Sequence, residues 1–177
     1  MIAPSHFSII VATDVGNGIG VKNRLPWSIR SDLEFFKTMT SWAPPEKYNV
    51  VIMGRNTYES LPKSVRPLPG RMNVVITQNR NYPSHNISCF PSLEQALSHI
   101  SLDRTVHRVF VIGGTQLYQS ALLHHKLDSI YLTRVITTTE CDCFFPEIPS
   151  QFRVTQQTGI INVPEGYSVQ FEVWRRR

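Results

Sequence analysis

No apolar run among the 177 residues approaches the roughly 18 needed to cross a bilayer. The opening stretch MIAPSHFSII lacks the basic start, apolar centre and small-residue cleavage site of a secretory leader. Cysteine is scarce: Cys89, Cys141 and Cys143 are odd in number and have no framework spacing. Cys141-x-Cys143 is one residue short of the usual zinc pair, and no second pair follows. A disulfide scaffold and a structural zinc site are thereby excluded, and a reduced, cytoplasmic setting is expected. The six histidines form no HExxH, and His124 and His125, being adjacent, cannot both face one metal from a helix, so no metal is expected. There is no GxSxG, no GxxxxGK[ST] and no catalytic-cysteine signature, which removes the common hydrolases and P-loop enzymes. Charge is sparse at 18%, and the only basic run is Arg175-Arg176-Arg177, which reads as a solvated tail. The net charge of +5 suits either a nucleic acid or a phosphorylated small molecule. Scattered charges without an aromatic-basic stripe speak against the nucleic-acid module.

What the chain does have is apolar content, 41%, enough for one core, and residues 1–177 read as a single domain. Three short, β-branched, continuous runs read as strands covered on both faces: 7–12, 49–53 and 109–112. Two of them end on glycine, at Gly54 and at Gly113-Gly114, and helical patterns follow over 55–60 and 115–123. This is the rhythm of a parallel α/β sheet. Further strands are expected at 73–77, 87–90 and 129–135, and a helix from Pro91 or Ser92 to His99. The tail alternates over 168–174, as a half-exposed antiparallel strand does. Residues 152–157 are its expected partner, with Pro164-Glu165-Gly166 as the turn. The segment from Asp14 to Trp27 is long for a loop, and such loops are often functional. Its GNGIG is no dinucleotide fingerprint, because Pro26 follows before any helix opens; its glycines read as loop mobility.

The helix expected next has Ser28 as N-cap and an apolar stripe of Ile29, Leu33, Phe36 and Met39. Asp32 lies four residues before Phe36 and shares its face, an acid on an apolar surface. From spacing alone, Asp32 either lines a site or merely complements the positive helix end. Glu34 points away. Gly54-Arg55-Asn56-Thr57 and Gly113-Gly114-Thr115 are strand-to-helix turns suited to phosphate. Arg71, at the end of the rigid segment Arg66-Pro-Leu-Pro-Gly-Arg71, either forks onto a carboxylate or caps carbonyls.

Taken in order, Ile19-Gly20, Leu25-Pro26-Trp27, Asp32 with Phe36, 51–55 with Thr57, 66–71, Val111-Ile-Gly-Gly114 with Tyr118, Thr133 and Phe144-Phe-Pro146 resemble the dihydrofolate reductases over nearly the whole chain. The resemblance implies an α/β fold: an eight-stranded, mostly parallel sheet with an antiparallel C-terminal end and about four helices. It implies a monomeric enzyme that reduces 7,8-dihydrofolate with NADPH and binds folate-like inhibitors. By the same resemblance Asp32 is the acid of the pterin pocket, Thr133 supports it, Trp27 holds a water, and Leu25 tips a closing loop. Ile10, Val11, Ala12, Phe36, Leu61, Leu68, Ile112 and Tyr118 wall the substrate pocket, and Arg71 pairs with the substrate's α-carboxylate. Ala12, Ile19, Gly20, Gly54, Arg55, Asn56, Thr57, Thr77, Gln78, Arg80, Ile112, Gly113, Gly114, Thr115, Gln116, Leu117 and Tyr118 take the cofactor. A cis peptide is expected between Gly113 and Gly114. Gln78 and Pro91 stand where relatives often carry basic residues for the cofactor's 2′-phosphate, which leaves Arg55, with Thr77 and Arg80, to hold it. A pyrimidine reductase of the same fold is the enzymatic alternative, but it would lack Trp27, Asp32 and Arg71.

Overall fold

The structure, a computed structural model, describes residues 4–177. Its elements in chain order are β1 (Phe7–Thr13), β2 (Gly18–Gly20), α1 (Arg30–Ser41), β3 (Tyr48–Gly54), α2 (Arg55–Ser60), β4 (Met72–Ile76), β5 (Ser88–Phe90), α3 (Leu93–Ile100), β6 (Val106–Val111), α4 (Thr115–Leu123), β7 (Leu127–Val135), β8 (Cys143–Phe144), β9 (Phe152–Gln157), β10 (Ile161–Asn162) and β11 (Ser168–Arg176). The main sheet has the order β10-β11-β7-β1-β6-β3-β4-β5, with β9 also paired to β11. β9 and β10 share the outer edge of β11, so the nine strands occupy eight positions. All pairings from β7 across to β5 are parallel, and those involving β11 are antiparallel. This is the expected α/β fold. A separate ribbon, β2 with β8, stands apart from it.

The continuous apolar strands are covered on both faces. On one face α3 and α4 press Ala96, Leu97, Ala121 and Leu122 against Ile9, Ile52 and Val111. On the other, Phe35, Phe36 and Met39 of α1 and Tyr58 of α2 cover Val51, Met53 and Phe110. Fully burying each such aliphatic side chain contributes roughly 1.5–3 kcal/mol. These two layers therefore dominate the stability, and the surface ion pairs are minor.

Three expectations need correcting. Helix α1 starts at Arg30 after Ile29, which offers no side-chain cap, and Ser28 lies outside it. The cap comes from far along the chain, where Glu165 accepts the Arg30 N–H at 2.9 Å. The turn carrying Glu165 joins β10 to β11 rather than β9 to β11. The basic tail is no solvated appendage: Arg175 and Arg176 extend β11. Arg176 donates to the carbonyls of His124 and Leu127 and lies over the Phe152 ring.

Candidate active site

Helix α1 brings Asp32, Phe36 and Thr40 to one face, because residues four apart stack. Asp32 is only 8% exposed. Burial pushes its pKa above the ordinary carboxylate value, and hydrogen bonding from Thr133 pulls the other way. Thr133 is placed by β7, where it pairs in register with Ala12 of β1. Trp27 is buried, and its indole N–H has no acceptor among the described residues. Phe36, Leu61, Leu68, Ile112 and Ile10 join the α1-side cluster. Alternation along β1 turns Val11 to the opposite face, among the α3–α4 core. Tyr118 lies in that core too, and its hydroxyl donates to the Ile10 carbonyl at 3.1 Å. Leu33, expected in the apolar stripe, is half exposed at 49%, and Phe35 takes its place, packed on Phe171 at 5.0 Å. Glu34 points to solvent, as expected, where it pairs with Arg30.

Arg71 is held on two sides by neutral groups. Its Nε donates to the Pro69 carbonyl at 2.9 Å and its Nη1 to the Thr40 hydroxyl at 2.5 Å. Thr40, fully buried, donates its own hydroxyl hydrogen bond to the Phe36 carbonyl at 2.7 Å. Among the described residues Arg71 forms no ion pair. Burial pushes its pKa down. A partly desolvated guanidinium with free donors is a receptor for an anion, and its planar fork suits a carboxylate. The loop that delivers it is fixed by Asn73, whose side chain bonds Leu68 N–H, Leu68 C=O and Arg71 C=O at 2.9, 2.9 and 3.0 Å. Neither Thr40 nor Asn73 carries a signal in the sequence that would have singled it out.

The second group lies at the C-terminal ends of the parallel strands, where ligands of α/β sheets bind. Gly54 donates to the Gly113 carbonyl at 2.8 Å, joining the ends of β3 and β6. The Gly113–Gly114 peptide is cis, as expected. A Cβ on Gly113, at φ +121°, would lie 3.3 Å from the Tyr118 hydroxyl oxygen, and one on Gly114 would lie 3.3 Å from Thr57 Oγ1. Glycine at both positions therefore lets the turn pack tightly on Tyr118 and Thr57, with its backbone at the strand ends where α/β sheets take their ligands. Thr115 is partly engaged with the Phe144 carbonyl at 3.0 Å. Asn56 and Gln116 are exposed, while Leu117 belongs to the core. Gln78 is occupied: its side-chain amide donates to the Pro91 carbonyl at 2.6 Å. Thr77 accepts from the Asn79 N–H at 3.1 Å, and Arg80 is exposed.

The glycine-rich loop is tied down at its start by Asp14. Asp14, almost fully buried, accepts Gly16 and Gly18 N–H on Oδ1 at 2.9 and 2.7 Å, and Thr139 N–H and O–H on Oδ2 at 2.9 and 2.8 Å. Burial raises its pKa, but these bonds outweigh burial and hold it below the ordinary value. Ile19 packs on the core and Gly20 pairs with Cys143 in the ribbon. Leu25, at the outer end of the loop, is 53% exposed. A Cβ on Gly18 would fall 2.5 Å from Cys141 Sγ and 2.8 Å from Cys141 Cβ. Gly18→Ala should therefore lower stability by about 1–3 kcal/mol through overpacking. Cys141→Gly in the same chain should restore part of it, since Asp14 Oδ1, 3.1 Å from the same Cβ, remains; urea unfolding makes the comparison directly.

A family model described as "Dihydrofolate reductase" matches residues 6–176. The chain is 37% identical over 183 residues to a dihydrofolate reductase of Aedes albopictus, covering 96% of this chain and 97% of that protein. It is 38% identical over 200 residues to a dihydrofolate reductase of Pneumocystis carinii, with 96% of each covered. It is also similar to a bifunctional dihydrofolate reductase-thymidylate synthase of Arabidopsis thaliana, 36% identical over 151 residues, covering 81% of this chain and 27% of that one.

Proposed function

The chain belongs to the dihydrofolate reductase family, and from that premise we propose that it reduces 7,8-dihydrofolate to 5,6,7,8-tetrahydrofolate beneath α1, with NADPH as its nicotinamide cofactor. When bound, the cofactor supplies the hydride taken up at pterin C6, while N5 gains a proton.

The observation that carries the reading is Asp32, a buried acid on the apolar face of α1. A carboxyl deprived of water gains most from a ligand that brings its own donors, and the pterin 2-amino group and N3 are such donors. Charge on Asp32 then favours a proton on N5, more strongly here than in water because the surroundings are apolar. Thr133 keeps the carboxyl ionisable by hydrogen bonding. The indole N–H of Trp27, buried and without an acceptor among the described residues, is the donor that would hold a water beside the pterin. Leu25 and the loop behind it close the site against solvent. The free donors of Arg71 take the α-carboxylate of the glutamyl tail.

Gly54, Thr57, Gly113, Gly114 and Thr115 line the dinucleotide's path. With Gln78 committed to Pro91, Arg55 supplies the charge for the 2′-phosphate. The test is steady-state oxidation of NADPH and of NADH with dihydrofolate, followed to tetrahydrofolate. Arg55→Ala should lower the NADPH-to-NADH ratio of kcat/KM by about tenfold or more, the worth of one hydrogen bond to a charged group. An unchanged ratio would move the discriminating charge elsewhere, and collapse in Arg80→Ala instead would assign it to the loop after β4.

A further inference from the structure

Strand register sets three segments side by side. Gly54 of β3 pairs with Ile76 of β4, and Ile76 with Phe90 of β5. Arg55, Thr77 and Pro91 therefore leave the sheet at the same level, at its C-terminal edge. With Gln78 bonded to Pro91 and Thr77 bonded to Asn79, Arg55 is the cation that stands at the strand ends themselves. Arg55 is not idle. One helical turn on, Glu59 pairs with it at 3.8 Å, both side chains being about half exposed at 50% and 41%.

Glu59 has other donors around it. Arg66 donates to the Glu59 backbone carbonyl at 3.0 Å and lies over the Tyr58 ring, which brings its positive charge near. The Tyr82 hydroxyl, raised in pKa first by burial and then by the Glu59 carboxylate, is a second neighbour. Losing Arg55 would thus leave Glu59 neither buried nor without a donor close by. The pair is long and wet, so it is weak and separable.

We propose that Glu59 is a specificity-determining residue that competes with the cofactor's phosphate for Arg55, so that a 2′-phosphorylated dinucleotide binds only by drawing Arg55 off Glu59. The inference rests on the reading of Arg55 given above. An anion that must displace another anion binds less tightly than to a free guanidinium, whereas a dinucleotide without the phosphate leaves the pair intact. Glu59 therefore sets how strongly this protein prefers one cofactor, although it touches neither substrate nor the reacting atoms.

The experiment is a set of fluorescence titrations of NADPH and NADH against the wild-type protein, Glu59→Gln, Arg55→Ala and the double variant, with thermal unfolding of each to confirm folding. Glu59→Gln keeps the shape and removes the charge. It should tighten NADPH by about two- to fivefold, the range expected for an exposed pair, and leave NADH unchanged. In the Arg55→Ala background the gain should disappear, because the interaction between the two residues is what the double cycle isolates. A gain equally large without Arg55 would mean plain repulsion between Glu59 and the phosphate and would overturn the competition. No gain, or weaker NADPH binding, would overturn it as well. If Arg55→Ala itself leaves the NADPH-to-NADH affinity ratio unchanged, the failure lies instead with the placing of the phosphate at Arg55.

Discussion

Asp32→Asn is expected to lower kcat/KM for dihydrofolate at pH 7 by roughly 10²- to 10⁴-fold, the usual worth of a positioned acid-base group, and at the same time to make the protein more stable. The amide keeps the shape and can still bond Thr133, but it carries no charge to favour a proton on N5. Activity should recover in part as the pH falls and solvent supplies that proton. The stability change follows from the direction of the Asp32 pKa, which burial raises. An unfolded Asp loses its proton near about pH 3.9, while the folded chain still holds it. Between that pH and the raised folded value the unfolded state binds fewer protons, so wild-type stability falls as the pH rises, and above the folded pKa the penalty is complete. The amide variant is spared it. The two proteins should be nearly equal in stability below the unfolded pKa and diverge above it, with a gain of about 2–4 °C in Tm per kcal/mol of penalty removed. Paired melts and rate profiles across pH check both halves. Wild-type turnover by the amide variant at neutral pH would remove Asp32 from the chemistry, and a variant less stable at pH 7 than at pH 4 relative to wild type would contradict the burial argument.

The same helix shows what the sequence could and could not disclose. Asp32 and Phe36 share a face by spacing alone, and the structure keeps them together. At about 100° per residue, Leu33 lies at one rim of that face and Phe35 at the other. Which rim turns inward depends on the sheet beneath, so the substitution of Phe35 for Leu33 in the core was not legible locally. The start of α1 was illegible for a similar reason, since its cap, Glu165, is 135 residues away. By contrast, the bounds of α2, α4 and β9 agree with the sequence reading residue for residue. Glycine or proline marks the approach to each of them, and α2 and α4 follow directly on glycine. The loops that deliver the site were the least readable. Asp14, Asn49 and Asn73 are buried polar residues that hold loops or helix ends through side-chain bonds to backbone groups, which follow no periodic pattern: Asn49, for example, donates to the Thr40 and Trp42 carbonyls at 3.0 and 2.7 Å, closing the end of α1. The β2–β8 ribbon, only a few residues long, rests on Gly18 fitting beneath Cys141, a contact with no periodic signature.

Arg71→Leu should separate ligands by a single chemical group. Of the five N–H donors of the guanidinium, one on Nε goes to Pro69 and one on Nη1 to Thr40, so the remaining three are free for a carboxylate. Folate-type ligands that carry the α-carboxylate should lose about 2–5 kcal/mol of binding, as when one partner of a buried charge pair is truncated. That is roughly 30- to 5000-fold in Kd. Small diaminopyrimidines, which lack the group, should change little. The free protein gives up the bonds to the Pro69 carbonyl and the Thr40 hydroxyl, but three features offset that loss. Leucine suits a half-buried place against Phe36, and Thr40 keeps its bond to the Phe36 carbonyl. The variant also sheds a guanidinium that burial disfavours and that no carboxylate compensates. Melting temperature should therefore stay close to wild type while KM for dihydrofolate rises much more than kcat falls, the signature of lost uniform binding. Titration of the purified variant with a glutamyl inhibitor and with a diaminopyrimidine reads the difference directly, and equal losses for the two would show that Arg71 supports the loop rather than the ligand.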